Sequence, residues 1–170
     1  MPLILPAAKY CLNFSGRHHF TIMIHNNKYI LMLEDDSDDR YVTHSFFQEN
    51  KVQLGLEFLH NSEAVLPFLE HRVTQQAELP SLILLDKSTP PDGGLYVLQQ
   101  LKEHEQFRAI PVVMISGSAL PDEIEECYRY GGSSFIIKPN SVAKTEEKIS
   151  SFLNYWFSTA ELPETAVVKY

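Results

Sequence analysis

The sequence is short of basic side chains: its 170 residues hold 14 Lys+Arg against 22 Asp+Glu, a formal net charge of -8. A nucleic-acid binder shows a basic patch, so this balance argues against nucleic acid as a partner. Cysteine is nearly absent, Cys11 and Cys127 being the two. They can form neither a disulfide framework nor a Cys-based zinc site, and they fit a reducing, cytoplasmic compartment. No run reaches the ~18 apolar residues of a membrane span, so no membrane is expected as a partner. Acids are missing from residues 1–33, whose charges are Lys9, Arg17 and Lys28. Leu3-Ile4-Leu5 is stopped by Pro6, short of the ~7–15 apolar residues of a signal peptide. Residues 1–27 are read as a leader, disordered or an artefact of the start site. His18, His19 and His25 lie there without a matching acid or Cys, and are not read as metal ligands.

What is present is enough apolar side chain, 44%, to bury a core in a single domain. Apolar runs Tyr29–Leu33, Leu54–Leu59, Ser81–Asp86, Pro111–Ile115 and Phe135–Ile137 read as five strands. Amphipathic stretches lie between them. Ser37 is expected to cap the first, ahead of Asp38-Asp39. Ser62-Glu63 opens the second, in which Pro67 is an irregularity, and Leu95, Leu98 and Leu101 mark the third. Pro121 starts the fourth, with a stripe of Ile124, Cys127 and Tyr128, and Gly131-Gly132 ends it. Val142–Phe157 is the fifth. Strands apolar on both faces, alternating with helices, predict a parallel sheet between two helical layers. A ligand site in such a sheet lies beyond the carboxyl ends of the strands, at a topological switch point.

The residues at those ends carry chemistry. Strand 1 leads into Glu34-Asp35-Asp36, strand 3 ends in Asp86, strand 4 leads into Ser116 and strand 5 into Lys138-Pro139. In a parallel sheet they share one edge. Converging carboxylates repel one another unless compensated. A hard divalent cation such as Mg²⁺ compensates them through oxygen ligands, and Lys138 supplies a further positive charge. Acids at a helix start are more ordinarily a solvated first turn, and that reading is applied to Asp38 and Asp39.

The ordered set Glu34-Asp35, Asp86 followed by Pro90 to Gly94, Ser116-Gly117 and Lys138-Pro139 resembles the CheY-like receiver domain of two-component response regulators. The resemblance spans about residues 28–158, with 159–170 as a tail. The longer loop before strand 3 and the ending Phe152 to Pro163 are similar to the single-domain subgroup typified by the cyanobacterial phytochrome response regulator. The resemblance implies a flavodoxin-like (βα)5 three-layer α/β sandwich with strand order 2-1-3-4-5. It implies that Asp86 accepts a phosphoryl group from a sensor histidine kinase, a phytochrome-like one on the subgroup resemblance. It implies Mg²⁺ on Glu34, Asp35, Asp86 and the backbone carbonyl of Ser88, with Lys138 and Ser116 stabilising the phosphoryl group. Ser116 and Phe135 would be the switch pair, and the Lys138–Pro139 bond a candidate cis peptide.

Four positions depart from the family's usual residues. Ser88 stands where Asn is common, Thr89 where Met or Leu is usual, Ser116 for Thr, and Phe135 for Tyr. With only the residues after Lys138 left for output, the expected partners are proteins: a downstream phosphotransfer or target protein, the kinase itself, or a second copy in a homodimer. The chain is expected to catalyse only its own phosphoryl transfer and dephosphorylation. Two alternatives stay open: a phosphorylation-independent adaptor on the same fold, and an Asp-nucleophile phosphatase of small metabolites. The dehalogenase-type phosphatase needs an acid two positions after the nucleophile, where Ser88 stands.

Overall fold

The computed structural model describes residues 28–118 and 120–164. Five strands, β1 Tyr29–Leu33, β2 Gly55–Leu59, β3 Leu82–Asp86, β4 Val112–Ser116 and β5 Ser134–Ile137, form one sheet in the order β2-β1-β3-β4-β5. Every pairing is parallel, with Leu33 opposite Leu59 and Leu85, Asp86 opposite Ile115, and Ser116 opposite Ile137. All five carboxyl ends therefore share one edge, as the sequence predicts. The expected order and helical layers are those observed.

The helices are α1 Ser37–Glu49, α2 Val65–Thr74, α3 Gly93–Glu103, α4 Pro121–Arg129 and α5 Val142–Asn154. Alternate residues of each central strand serve opposite faces of the sheet. Leu31, Leu33, Ile83, Leu85, Val112 and Met114 pack with Val65, Leu69, Val97, Leu98, Leu101 and Cys127 under α2, α3 and α4. Ile30, Met32, Leu82, Leu84 and Val113 pack with Phe47 and Leu153 under α1 and α5. β1 and β3 are buried along their whole length, which is why they read as unbroken apolar runs.

Several boundaries differ from the sequence expectation. The cap of α1 is Asp36, not Ser37: its Oδ1 accepts the N–H groups of Asp38 at 2.7 Å and Asp39 at 3.2 Å. Both residue types cap well, and the carboxylate adds its charge to the helix dipole. Pro67 falls in the first turn of α2, where an N–H has no intrahelical acceptor, so the helix tolerates it. A short 3₁₀ turn, Ser62–Ala64, precedes that helix, and α5 ends at Asn154 in a π turn over Tyr155–Thr159. Tyr128 is half exposed rather than part of the buried stripe of α4, whereas Cys127 is fully buried core as expected. Tyr155 is exposed and Trp156 packs against the α1/α5 side.

Candidate functional site: the carboxylate pocket at the switch point

The chain leaves β1 for β2 on one side and returns to β3 on the other, so the crevice beyond β1 and β3 is the switch point of the sheet. Two backbone devices shape its floor. The Glu34 N–H donates to Leu59 O at 2.9 Å, extending the β1–β2 ladder one residue past the strand. The chain then turns: the Asp36 N–H donates to Glu34 Oε1 at 3.1 Å, and Arg40 Nη1 donates to the carbonyls of Glu34 at 3.0 Å and Asp35 at 2.6 Å. Across the crevice, the loop after β3 is folded back by glycines. Gly93 has φ +81°, and a Cβ there would lie 2.7 Å from Lys87 O. Gly94 sits so close to β3 that a Cβ would lie 2.5 Å from Asp86 O.

These turns bring carboxylate oxygens of Glu34, Asp35 and Asp86 within 4.8 Å of one another. Glu34 and Asp86 are buried and Asp35 is exposed. Lys138 reaches in from the end of β5, its Nζ 2.6 Å from Glu34 Oε2, 2.9 Å from Asp86 Oδ1 and 2.7 Å from Asp39 Oδ2. Burial pulls the Lys138 pKa down. Hydrogen bonds to Asp39, Glu34 and Asp86 outweigh that and hold it above the ordinary lysine value. Burial raises the Glu34 pKa, and the Asp86 charge adds to this, while Lys138 and the Asp36 N–H oppose it. The Ser88 N–H donates to Asp86 Oδ2 at 2.8 Å. Ser116 is buried at the end of β4, its Oγ accepting the Ser118 N–H at 3.3 Å and its carbonyl accepting the Lys138 N–H at 2.8 Å. Phe135, opposite Met114, is half-buried against the α2–α4 side of the core.

The donor chemistry of the pocket fits a hard divalent cation: it is all oxygen, anionic in excess, and open to solvent at Asp35. Three carboxylates could hold the ion.

Of the predicted site residues, Glu34, Asp35, Asp86, Lys138 and the Ser88 N–H meet in the pocket, Ser116 joins them through its carbonyl on the Lys138 N–H, and Phe135 lies against the core; there is one correction and there are two additions. The cis peptide among the described residues is Pro90–Pro91; Lys138–Pro139 is trans. An X–Pro bond prefers trans by about 0.5–1 kcal/mol. With it trans, Lys138 already bonds Ser116 through its backbone and three carboxylates through its ammonium. Asp39 is not merely a solvated first-turn acid, since it pairs with Lys138. Thr89 is fully buried in the pocket, its Oγ1 3.1 Å from Asp35 Oδ1 and 3.5 Å from Asp86 Oδ2. Asp39 has no distinguishing local pattern, and the signal at Thr89 is its hydroxyl at a position where Met or Leu is usual. Lys87, next to Asp86, pairs with Glu123 on α4 and holds that carboxyl below its usual range. The leader histidines lie outside the described residues.

Fold and pocket together define a doubly wound domain with a cation-compatible carboxylate site at its switch point, faced by a lysine. The response regulator receiver domain family matches residues 30–150, and the chain belongs to that family. It is a receiver-domain response regulator of two-component signalling. The response regulator Rcp1 of Synechocystis is 25% identical over 137 residues, covering 80% of this chain and 93% of the relative. A probable methanogenesis regulatory protein, FilR2 of Methanothrix harundinacea, is 29% identical over 137 residues, covering 81% of this chain and 88% of the relative. Among solved structures, the phosphorylated cyanobacterial phytochrome response regulator RcpA superposes with a TM-score of 0.75 at 26% identity, covering 81% of this chain and 99% of that one. The Mn²⁺-bound form of Rcp1 gives 0.73 at 25%, covering 80% and 99%.

Proposed function

We propose that the protein takes a phosphoryl group onto Asp86 from the phosphohistidine of a sensor histidine kinase and signals through protein contacts. The observation that carries this is the pairing of Asp86 Oδ1 with Lys138 Nζ at 2.9 Å inside a pocket whose three carboxylates lie within 4.8 Å. A carboxylate oxygen of Asp86 attacks phosphorus, the phosphorus–nitrogen bond of the donor breaks, and an acyl phosphate forms. Such transfer needs alignment and charge neutralisation more than covalent help. Glu34, Asp35, Asp86 and the Ser88 carbonyl would hold Mg²⁺, which would supply neutralising charge there. Lys138 adds one further positive charge, and the Ser88 N–H orients the acceptor carboxylate.

The new phosphoryl group adds about -1.5 to -2 charge and strong acceptors. Ser116 moves to donate to it, and Phe135 shifts with that loop, changing the surface around α4, β5 and α5. The chain acts on itself rather than turning over a substrate, and works in the cytoplasm. A phytochrome-like kinase is the proposed donor because the neighbours named above include a phytochrome response regulator. A downstream phosphotransfer or target protein receives the signal, and a homodimer is one form it takes. At position 88, where the metabolite-phosphatase alternative needs an acid, Ser88 stands, and its backbone N–H donates to Asp86.

The test is incubation with acetyl phosphate and Mg²⁺, read by intact mass. The wild type gains one phosphoryl group, and Asp86→Asn or added chelator abolishes the gain. A wild type that does not label, or an Asp86→Asn chain that labels equally, overturns the reading.

A further inference from the structure

We propose that Thr89 is a positioning residue that aims Asp35 into the pocket and so sets the affinity for the divalent cation. The inference rests on the reading of the pocket as a cation site and goes beyond it, to a side chain whose type alone would not suggest the role.

Lys138 serves Glu34, Asp39 and Asp86 but not Asp35. Asp35 is exposed, so its carboxylate is free to swing into water unless something holds it. Among the described residues, the partner of that carboxylate is the Thr89 hydroxyl, 3.1 Å from Asp35 Oδ1. Thr89 is itself fully buried, so the hydroxyl has no water to turn to. Its acceptors are Asp35 Oδ1 and, at 3.5 Å, Asp86 Oδ2. Asp35 Oδ1, the nearer, is the better placed acceptor. The hydroxyl thereby ties one face of the pocket to the other across 54 positions of sequence.

The backbone makes the hydroxyl a fixed point. The Thr89 carbonyl accepts the Gly93 N–H at 3.0 Å, closing the loop that Gly93 and Gly94 fold against β3. A carboxylate oriented by a buried donor loses less freedom when it takes up a cation than one that must first be ordered. An apolar residue of similar volume would fill the space and leave Asp35 unheld.

The experiment is calorimetric titration of the unphosphorylated protein with MgCl₂, comparing wild type, Thr89→Val and Thr89→Ser, each checked for a native melting transition. Outer-shell partners of ligands are worth about 10–100-fold in metal affinity. Because Asp35 is exposed, the lower end applies: valine weakens Mg²⁺ binding about tenfold, and serine, which keeps the donor, restores it to within about threefold. Should the valine chain fail to fold, Thr89→Cys, whose thiol donates only weakly, replaces it under the same thresholds. Valine binding within about threefold of wild type overturns the inference. So does serine weakening binding as much as valine, since the methyl and not the hydroxyl would then matter. A wild type that binds no Mg²⁺ overturns the cation reading itself and this inference with it.

Discussion

Replacing Lys138 by Met keeps an apolar stem of similar reach and deletes one ammonium. That ammonium lies within 2.9 Å of Glu34 and Asp86, which are 1% and 4% exposed. Removing one partner from a buried ion pair costs about 3–5 kcal/mol, because it strands the charge left behind. Here Lys138 is 22% exposed at its side chain and the pocket opens to water, so the expected loss at pH 7.5 is smaller, about 2–3 kcal/mol. For a domain of this size that corresponds to a melting temperature lower by roughly 4–12 °C. The pH dependence supplies a second signature. Lys138 has a folded pKa above lysine's ordinary value, so its contribution is complete below the unfolded pKa of about 10.4 and flat between pH 5 and 8. Glu34 has a raised folded pKa, so its burial penalises the folded state above that pKa and is relieved as pH falls toward the unfolded value. Without Lys138 the rise is larger and the relief greater. The gap between variant and wild type should therefore narrow from pH 7.5 to pH 5, as read by calorimetric or circular-dichroism melts. A gap under about 2 °C at pH 7.5, or one that widens on acidification, would refute the reasoning.

Gly94→Ala places a Cβ 2.5 Å from the Asp86 carbonyl and 3.1 Å from Leu85 Cβ. Backbone must move, at a cost of about 1–3 kcal/mol, visible as a lower urea midpoint and slower labelling of Asp86; an unchanged midpoint would contradict the close approach. Burial pushes the Cys127 thiol up to about 11. In a Cys11→Ser background it should ignore a disulfide reagent at pH 8 until urea unfolds the chain, and prompt labelling under native conditions would show the core to be open there.

The parts of the molecule legible in the sequence are those where burial writes itself into composition. β1 and β3 are buried on both faces, so YILML and LILLD could be read directly. The strand-end rule then placed Asp86 and Lys138 at one edge before any coordinates. What stayed hidden depends on small local differences or on distant contacts. Asp36 and Ser37 are adjacent and both cap helices well, and their competition is settled by which oxygen meets the N–H groups of Asp38 and Asp39. The Lys138–Pro139 bond was a choice between isomers separated by less than about 1 kcal/mol. Asp39 finds Lys138 across 99 residues, and Thr89 finds Asp35 across 54. No helix periodicity or motif spacing records either meeting.

These two hidden residues change how the charge of the pocket is understood. Against the carboxylates of Glu34, Asp35, Asp39 and Asp86 stand the Lys138 ammonium, paired with three of them, and the Arg40 guanidinium, which is spent on the backbone carbonyls of Glu34 and Asp35. That ammonium cannot serve all four carboxylates, and it spends itself on the two buried ones and on Asp39. Asp35 is left to the uncharged Thr89 hydroxyl, which orients it without neutralising it. Adjacent residues in the chain thus take opposite parts. Glu34 is buried, anchored and ion-paired; Asp35 is exposed and aimed, and its carboxylate makes no ion pair among the described residues. A carboxylate held beside Asp86 without an ion pair of its own is where an incoming divalent charge would gain most, because it displaces no existing ion pair. Lys138 is different, because a phosphoryl oxygen, on the proposed function, would have to compete with Asp39 for it. The half-exposed, least costly partner is the one to be given up, so Asp39 is the carboxylate that Lys138 can release without stranding a fully buried charge.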